Sequence, residues 1–188
     1  MGCILDSGWK LQCNKKPSGI RKIYIIPYKY INGYTINSDG VITSINSASR
    51  PFYTLEVKEQ STELIDKQVL DEKTGSIYWE QTLKLQLLKT DYNLRNLYLK
   101  LLNTKYIFII NDNNNLFWIV GKIFGCKLTQ SESGPGKTFQ DFNGNKMIFI
   151  GRESEPIRQV ASNAFTQSTT VINPIDTSQP VPVNPPQS

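Results

Sequence analysis

The sequence predicts a mainly β protein: an antiparallel β-sandwich or barrel with one packed α-helix and an extended C-terminal tail. Most of the chain consists of short runs that alternate apolar and polar residues or are rich in β-branched and aromatic residues, separated by turn formers. Leucines and a tyrosine in one window, residues 94–102, instead recur at helical spacing. Composition then shifts after residue 161 to Ser, Thr, Asn, Gln and Pro, which is typical of an extended segment without its own core. We therefore expect a domain over residues 1–161 and a tail over residues 162–188.

The element that organises the prediction is the stretch 76–125. Its first part, YWEQTLKLQL, alternates from Leu83 onward, as a half-buried strand does. Asp91 can then cap a helix over about residues 91–103. Two apolar runs, YIFII and LFWIVG, follow and are joined by the polar cluster 111–115, which predicts a hairpin.

The remaining strands are placed by the same patterns. The runs with strand character are 20–26, 35–37 with 41–45, 52–57, 125–129 and 146–150. Residues 63–70 read as a strand or a short helix, and the strand is favoured because a turn at 71–75 then makes a long hairpin with 76–88. Residues 131–138 are predicted to be a Gly/Ser loop, and Asn143-Gly144 to be a type I′ turn.

Composition excludes several classes of function. The chain has 188 residues, enough for one domain with a tail, and contains no histidine. The absence of histidine removes histidine-dependent triads, most zinc sites and the usual acid–base group. No apolar run is long enough to span a membrane, and the N-terminus lacks the pattern of a secretory signal. We expect no catalytic residue, cofactor, metal, membrane or small-molecule substrate.

Three cysteines do not form a complete disulfide framework. Cys3 and Cys13 could pair across a loop, but reduced residues in a reducing compartment are the favoured interpretation. Cys126 has no evident partner in the sequence.

Positive charge is concentrated near the N-terminus of a chain whose net charge is +5. No acidic residue occurs between residues 7 and 38, and aromatic residues lie among the cations. Lys15, Lys16, Arg21 and Lys22, with Tyr24, are therefore the candidate nucleic-acid contacts. An exposed strand face with ordinary lysines is the favoured alternative, because the run is short.

Three other motifs resemble ligand-binding or catalytic sites, but a structural explanation fits each of them better. SESGPGKT at 131–138 ends like a phosphate-binding loop but lacks the first glycine and a following helix. Asp141, Asn143 and Asn145 alternate like calcium ligands but lack the later acidic ligand. The pairs Glu63/Asp66 and Glu153/Glu155 are expected to be solvated faces or subunit contacts.

A set of short motifs resembles structural proteins of tailed bacteriophages of gut Bacteroidetes, the crAss-like group among them, which relate to the tail-tube and ring-protein fold. The motifs are Cys3, Gly8 and Cys13, then GIRKIYI at 19–25, YWEQTL at 78–83, IINDNN at 109–114, Gly121, Gly125, DFNG at 141–144, Gly151, Glu153 and Pro156. They span about residues 1–160; the Pro-rich tail and the GPGKT loop lie outside them.

The resemblance implies a virion protein, assembled in the host cytoplasm, with a fold of the tail-tube type. Roughly six or twelve copies would form a ring in the tail or head–tail neck, in contact with other tail or neck proteins and portal-proximal rings, with DNA passing through the lumen. The expected contact regions are residues 58–75, 131–138 and 162–188. The alternatives are a nucleic-acid-binding β-barrel that uses the basic run and a host-surface or carbohydrate-binding sandwich.

Overall fold

The described part of the chain is mainly β, with two sheets and one α-helix. A computed structural model describes residues 18–55, 57, 61–73, 75–88, 92–134 and 143–167. The helix α1 is Tyr92–Leu101, and a single 3-10 turn spans Tyr28–Tyr30. The strands are β1 (Ile20–Pro27), β2 (Gly33–Ile36), β3 (Ile42–Asn46), β4 (Tyr53–Leu55), β5 (Glu63–Leu70), β6 (Ile77–Leu88), β7 (Tyr106–Asp112), β8 (Phe117–Val120), β9 (Lys127–Gly134), β10 (Gly144–Glu153) and β11 (Arg158–Val160).

The strands divide into a seven-stranded sheet and a four-stranded sheet. The first has the order β2-β3-β11-β8-β7-β1-β4, and the second has the order β5-β6-β10-β9. The expected hairpins β2–β3, β5–β6 and β7–β8 are all present and antiparallel. The expectation of purely antiparallel pairing is wrong at two places: β11 runs parallel to β3, with Val160 opposite Ile42, and Phe52 forms an isolated parallel bridge with Gln167.

The central strands of the larger sheet are buried on both faces. Along β7, Phe108 and Ile110 join the core that both sheets share, whereas Ile107 and Ile109 face a second core. Successive side chains of a strand point to opposite faces, so a continuous apolar run is what a strand covered on both sides requires. Each such buried side chain contributes about 1.5–3 kcal/mol to folding.

The shared core joins the two sheets and the helix. Leu83 and Leu85 of β6 and Phe149 of β10 are buried in it. Leu101 of α1 is 2% exposed and packs in the same cluster. The expected packed helix is therefore present, although the proposed cap Asp91 lies outside the described residues.

The second core includes the beginning of the segment that the sequence assigned to the tail. Ala164 and Phe165 are buried there, and the Phe165 ring packs edge-on against Tyr24 and Phe52, at 5.2 Å between centroids in each case. The backbone N–H of Phe52 also donates to the Thr166 carbonyl at 2.8 Å. Residues 162–167 thus belong to the fold, and residues 168–188 lie outside the described residues.

Two loops differ from their prediction. Residues 131–134, expected in a Gly/Ser loop, form the second half of β9, which pairs with β10 along its length. Asn143-Gly144 is not a two-residue turn, because Gly144 begins β10 and lies opposite both Leu88 and Gly134. The connection between β9 and β10 includes residues 135–142, which lie outside the described residues.

Candidate functional site

The hairpin formed by β5 and β6 projects beyond the rest of its sheet. The two strands pair in register from Glu63 opposite Lys84 to Leu70 opposite Ile77. Pairing of β6 with its other neighbour, β10, stops at Trp79. Ile77 and Tyr78, the residues of β6 nearest the hairpin tip, therefore pair with β5 alone among the described strands.

The tip of this hairpin presents apolar side chains to solvent. Leu70 is 57% exposed and Ile77, directly opposite, is 56% exposed. Three hydrogen bonds link the described residues of the connecting turn: Gly75 N–H to the Asp71 carbonyl, Lys73 N–H to Asp71 Oδ1, and Asp71 N–H to the Ser76 carbonyl. Two large exposed aliphatic residues side by side on a hydrogen-bonded hairpin are typical of a protein contact.

The four-stranded sheet ends in two different edges, β5 and β9. Each strand is eight residues long, and no described strand pairs with the outer side of either one. The three pairings inside the sheet are all antiparallel, so β5 and β9 run in opposite directions. Strand edges that present unpaired backbone groups are templates for pairing with another chain.

The face of this sheet that points away from the shared core is charged. Three cross-strand ion pairs lie on it: Lys84–Glu63 at 2.9 Å, Lys146–Glu132 at 3.6 Å and Arg152–Glu80 at 3.7 Å. Exposed pairs of this kind contribute only about 0–1 kcal/mol each. They keep the face solvated and mixed in sign.

A basic groove opens at one end of that face. It has a volume of about 310 Å³ and is lined by Glu80, Lys105, Phe124, Gly125, Lys127, Thr129, Ile150 and Arg152. Arg152 pairs with Glu80 and lies 5.6 Å from the Tyr78 ring centroid. Among the described residues, no ion pair to Lys105 or Lys127 is present. The groove therefore combines three cations, one carboxylate and the half-exposed ring of Phe124.

The loop that carries Phe124 is held by a buried carboxylate. Glu153 is 1% exposed; its Oε2 accepts the N–H of Ile123 at 2.8 Å, and its Oε1 accepts that of Phe124 at 2.9 Å. Burial raises the pKa of this carboxyl. Hydrogen bonds from the backbone N–H groups lower the pKa, but the effect of burial is larger. On the other side of the loop, Gly121 N–H donates to the buried Gln81 Oε1 at 2.9 Å.

A second acidic residue ties the same loop to the larger sheet. Glu155 accepts from Lys122 through Oε1 and from Arg158 through Oε2, the latter at 2.6 Å. Hydrogen bonding from Arg158 is the main cause of the lowered pKa of Glu155. Arg158 in turn donates to the Gly40 carbonyl at 3.2 Å. The expectation of a solvated face is therefore wrong for Glu153/Glu155, because both carboxylates bond groups of their own subunit. The alternative, a subunit contact, stays a prediction.

A smaller cleft, about 280 Å³, lies on the opposite flank of this loop. It is lined by Tyr28, Ile31, Asn32, Gly33, Tyr34, Lys122 and Ile123. Its tyrosine hydroxyls are already engaged, because Tyr28 donates to the Ile123 carbonyl and Tyr34 to the Lys122 carbonyl. Burial raises the pKa of Tyr34, so this hydroxyl stays protonated. These groups fix the loop rather than point into the cleft.

The candidate nucleic-acid residues of the basic run are not brought together with the groove. Arg21 and Lys22 are exposed at the first end of β1, whereas Lys105 precedes Tyr106, which lies opposite Pro27 at the other end. Six residues of strand separate these ends by roughly 20 Å. Tyr24 is 4% exposed, so the expectation that it stacks on a base is wrong. Lys15 and Lys16 lie outside the described residues.

The groove residues were not singled out by the sequence. Lys105 lies in the loop before β7, Lys127 begins β9 and Arg152 lies in β10, so they share no local motif. Their juxtaposition follows from strand pairing, which places Lys127 opposite Ile150 and Arg152 opposite Glu80. Only the order of the strands in the sheet reveals this cluster.

The structure also shows where the other motifs considered in the sequence lie. Ser131–Gly134 of the phosphate-loop-like motif lie in an antiparallel edge strand, which is not the setting of a phosphate-binding loop. Glu63 pairs with Lys84, and Asp66 accepts the N–H of Ile157 at 3.0 Å.

Within the described residues, no group of three or more His, Cys, Asp or Glu side chains is arranged to hold a metal ion. No helix in that part of the chain has both the length and the apolar character needed to cross a membrane.

Comparison with known proteins identifies no relative. The chain matches no family model, no curated protein and no solved structure.

Proposed function

We propose that this protein is a structural subunit that assembles head-to-tail, through its four-stranded sheet, into a closed ring of a bacteriophage tail or head–tail neck. The fold would then be a β-sandwich of the tail-tube type. The single observation that carries the assembly is the pair of open edges, β5 and β9, on one antiparallel sheet whose β5–β6 hairpin projects beyond it.

An antiparallel sheet with an even number of strands suits head-to-tail repetition. β5 and β9 run in opposite directions, so β5 of one copy, placed beside β9 of the next copy in the same orientation, pairs antiparallel. Because the two edges differ, the contact is heterologous, and a rotation between copies that divides a full turn, with no translation along the axis, closes it into a ring. Closure also removes the open edges, which are otherwise an aggregation hazard.

The expected size is compatible with a channel for DNA. Six copies of the four-stranded sheet would contribute roughly 24 strands. At about 4.8 Å per strand, the backbone circle is about 37 Å across before strand tilt and side chains are considered. The mixed, ion-paired face of the sheet would then line the lumen, while the shared core and helix lie outside it. Twelve copies would double the diameter.

The hairpin tip supplies a second contact between copies. Burial of Leu70 and Ile77 against a neighbour would remove from water the two most exposed large apolar side chains of the described chain. The expected contact region 58–75 contains the first strand and turn of this hairpin. The regions 131–138 and 162–188 stay predictions; residues 131–134 lie on the β9 edge, and residues 135–138 and 168–188 lie outside the described residues.

The assignment to a phage tail or neck is supported by the sequence motifs alone. GIRKIYI at 19–25, YWEQTL at 78–83 and IINDNN at 109–114 fall on β1, β6 and the β7–β8 hairpin, the strands that build both sheets. Its partners would be other tail or neck proteins, portal-proximal rings and the DNA that passes through, and its location would be the virion. No catalytic residue or cofactor belongs to this function.

The two alternative functions, nucleic-acid binding through the basic N-terminal run and carbohydrate or host-surface binding, have less support. A nucleic-acid-binding barrel based on the N-terminal run needs an exposed aromatic residue beside Arg21 and Lys22, and Tyr24 is in the core. A carbohydrate-binding sandwich would use an aromatic cleft, and the hydroxyls of Tyr28 and Tyr34 are already hydrogen-bonded to the loop backbone.

Assembly is tested with the purified full-length chain by mass photometry and negative-stain electron microscopy over a concentration series. We expect discrete rings of one copy number, formed cooperatively. A monomer that persists at all concentrations contradicts the proposal. A variant that lacks residues 168–188 keeps every residue that the structure describes and shows whether the tail contributes to assembly, whereas a deletion from residue 162 would also remove the buried Phe165.

A further inference from the structure

We infer that the basic groove formed by Lys105, Lys127, Arg152 and Phe124 binds single-stranded nucleic acid, with the cations on the phosphodiester backbone and Phe124 stacked on a base. This is a binding site separate from the basic N-terminal run. It stands on the groove alone and does not depend on ring formation.

The charge of the groove calls for an anionic ligand. Of its three cations, only Arg152 has a carboxylate partner among the described residues, namely Glu80 at 3.7 Å. Lys105 and Lys127 are exposed and have no ion pair among the described residues. Two ammonium groups without an ion pair in the described part of the chain, beside a guanidinium, concentrate positive potential in a cleft of about 310 Å³. Phosphate contacts by lysine and arginine provide most of the affinity of such sites.

The aromatic ring favours nucleic acid over an acidic peptide. Phe124 is 51% exposed, although it lies in a loop whose backbone is fixed. Its N–H is held by the buried Glu153, and the neighbouring Gly125 lets the loop approach Lys105 and Tyr28 closely: a Cβ at this glycine would lie 3.1 Å from the Lys105 Cβ. An exposed ring on a hydrogen-bonded loop beside cations is an arrangement that can stack bases of a single strand.

Single strands are favoured over duplex for the same reason. A base can stack on Phe124 only when it is unpaired and can leave its neighbours, which a duplex does not allow without unstacking. The groove contributes no hydrogen-bonding pattern specific to one base, so we expect little sequence preference. Duplex DNA should bind through its phosphates alone, and more weakly.

The test compares two variants of equal charge change in the full-length protein. Lys105→Ala/Lys127→Ala removes the two cations of the groove, and Arg21→Ala/Lys22→Ala removes two exposed cations at the far end of β1. Binding of fluorescent oligo(dT) and of a duplex of the same length is followed by anisotropy across a salt series, after circular dichroism shows that each variant is folded.

We expect the groove variant to weaken oligo(dT) binding about tenfold or more and to reduce the salt slope by about 1.4, because two phosphate contacts are lost. Phe124→Ala should weaken binding to the single strand severalfold at an unchanged salt slope and leave duplex binding unchanged. The inference is overturned if Arg21→Ala/Lys22→Ala has the same effect as the groove variant, if the groove variant binds like the wild type, or if poly-glutamate displaces oligo(dT) as well as a second oligonucleotide does.

Discussion

Leu70 and Ile77 face each other as the last directly paired residues of the β5–β6 hairpin, and each has more than half of its surface exposed. Their neighbours in the turn are well hydrogen-bonded, so the exposed pair is held in place rather than collapsed onto the sheet. A tip of this kind has no role in the core of its own subunit. It is the place where a change should affect assembly without affecting folding.

Replacement of this apolar pair should therefore separate the two properties. We expect Leu70→Thr/Ile77→Thr to raise the dissociation constant of the assembly by about tenfold or more, because two aliphatic contacts are lost. The free energy of unfolding of the monomer should change by less than about 0.5 kcal/mol. Sedimentation velocity measures the first quantity and urea unfolding the second. Ile36→Thr, on the exposed strand β2, is the control and should leave assembly unchanged.

Removal of the buried carboxylate should destabilise the fold. Glu153→Ala leaves the N–H groups of Ile123 and Phe124 without their acceptor, so we expect a loss of about 2–3 kcal/mol in the free energy of unfolding. Glu132→Ala removes a carboxylate from an exposed ion pair and should cost less than about 1 kcal/mol. Urea unfolding of both variants at neutral pH is the measurement. Equal losses would show that Glu153 does not anchor the loop.

The stabilisation from Glu155 should depend on pH. Its folded-state pKa lies below the ordinary value of 4.5, so its contribution is complete above that value and is lost as the pH falls through the folded pKa. We expect Glu155→Gln to lower the free energy of unfolding by about 1.5–3 kcal/mol at neutral pH. The difference from wild type should shrink in acid. The raised pKa of Glu153 makes the opposite contribution to the pH dependence of stability. The diagnostic quantity is therefore the difference in the free energy of unfolding between wild type and Glu155→Gln. A constant difference at every pH would refute the assignment.

Gly151 and Cys126 should behave as a coupled pair. A Cβ at Gly151 would lie 2.7 Å from the Cys126 Sγ, and the residue needs no left-handed backbone. We expect Gly151→Ala to cost about 1–3 kcal/mol through overpacking, and Cys126→Ala to relieve part of it. Gly33→Ala, where a Cβ meets nothing within 4 Å, is the matched control. Strict additivity of the two substitutions in thermal unfolding would contradict this packing.

Features set by local sequence were predictable. The turn between β7 and β8 follows from its Asn/Asp cluster: Asp112 Oδ1 accepts the N–H groups of Asn114 and Leu116, and Asn115 adopts a left-handed φ of 61°. The β5–β6 hairpin and the helix likewise follow from period-two and 3.6-residue patterns. These patterns depend only on neighbours along the chain.

Features set by distant pairing were not predictable from the sequence alone. The parallel contact of β11 with β3 and the burial of Phe165 depend on which strands lie side by side. The same holds for Glu153, whose partners are loop amides about thirty residues earlier in the chain. A charged side chain near the end of a strand looks solvated in a sequence, and only the fold shows that backbone donors surround it. The basic groove was missed for this reason.

The most direct test of the ring is cysteine cross-linking between the two sheet edges. Ile65→Cys lies on β5 and Gln130→Cys on β9, both on the charged face of the four-stranded sheet, and Glu132→Cys covers a register shifted by two residues. Cys3→Ser and Cys13→Ser remove two native thiols from the background, and the buried Cys126, with its pKa raised to about 12, stays unreactive. We predict that oxidation of a mixture of the β5 and β9 variants gives disulfide dimers, and that one chain carrying both cysteines gives a ladder that ends at a closed ring. Equal cross-linking of each variant with itself, or no cross-linking in the mixture at any register, would contradict a head-to-tail ring.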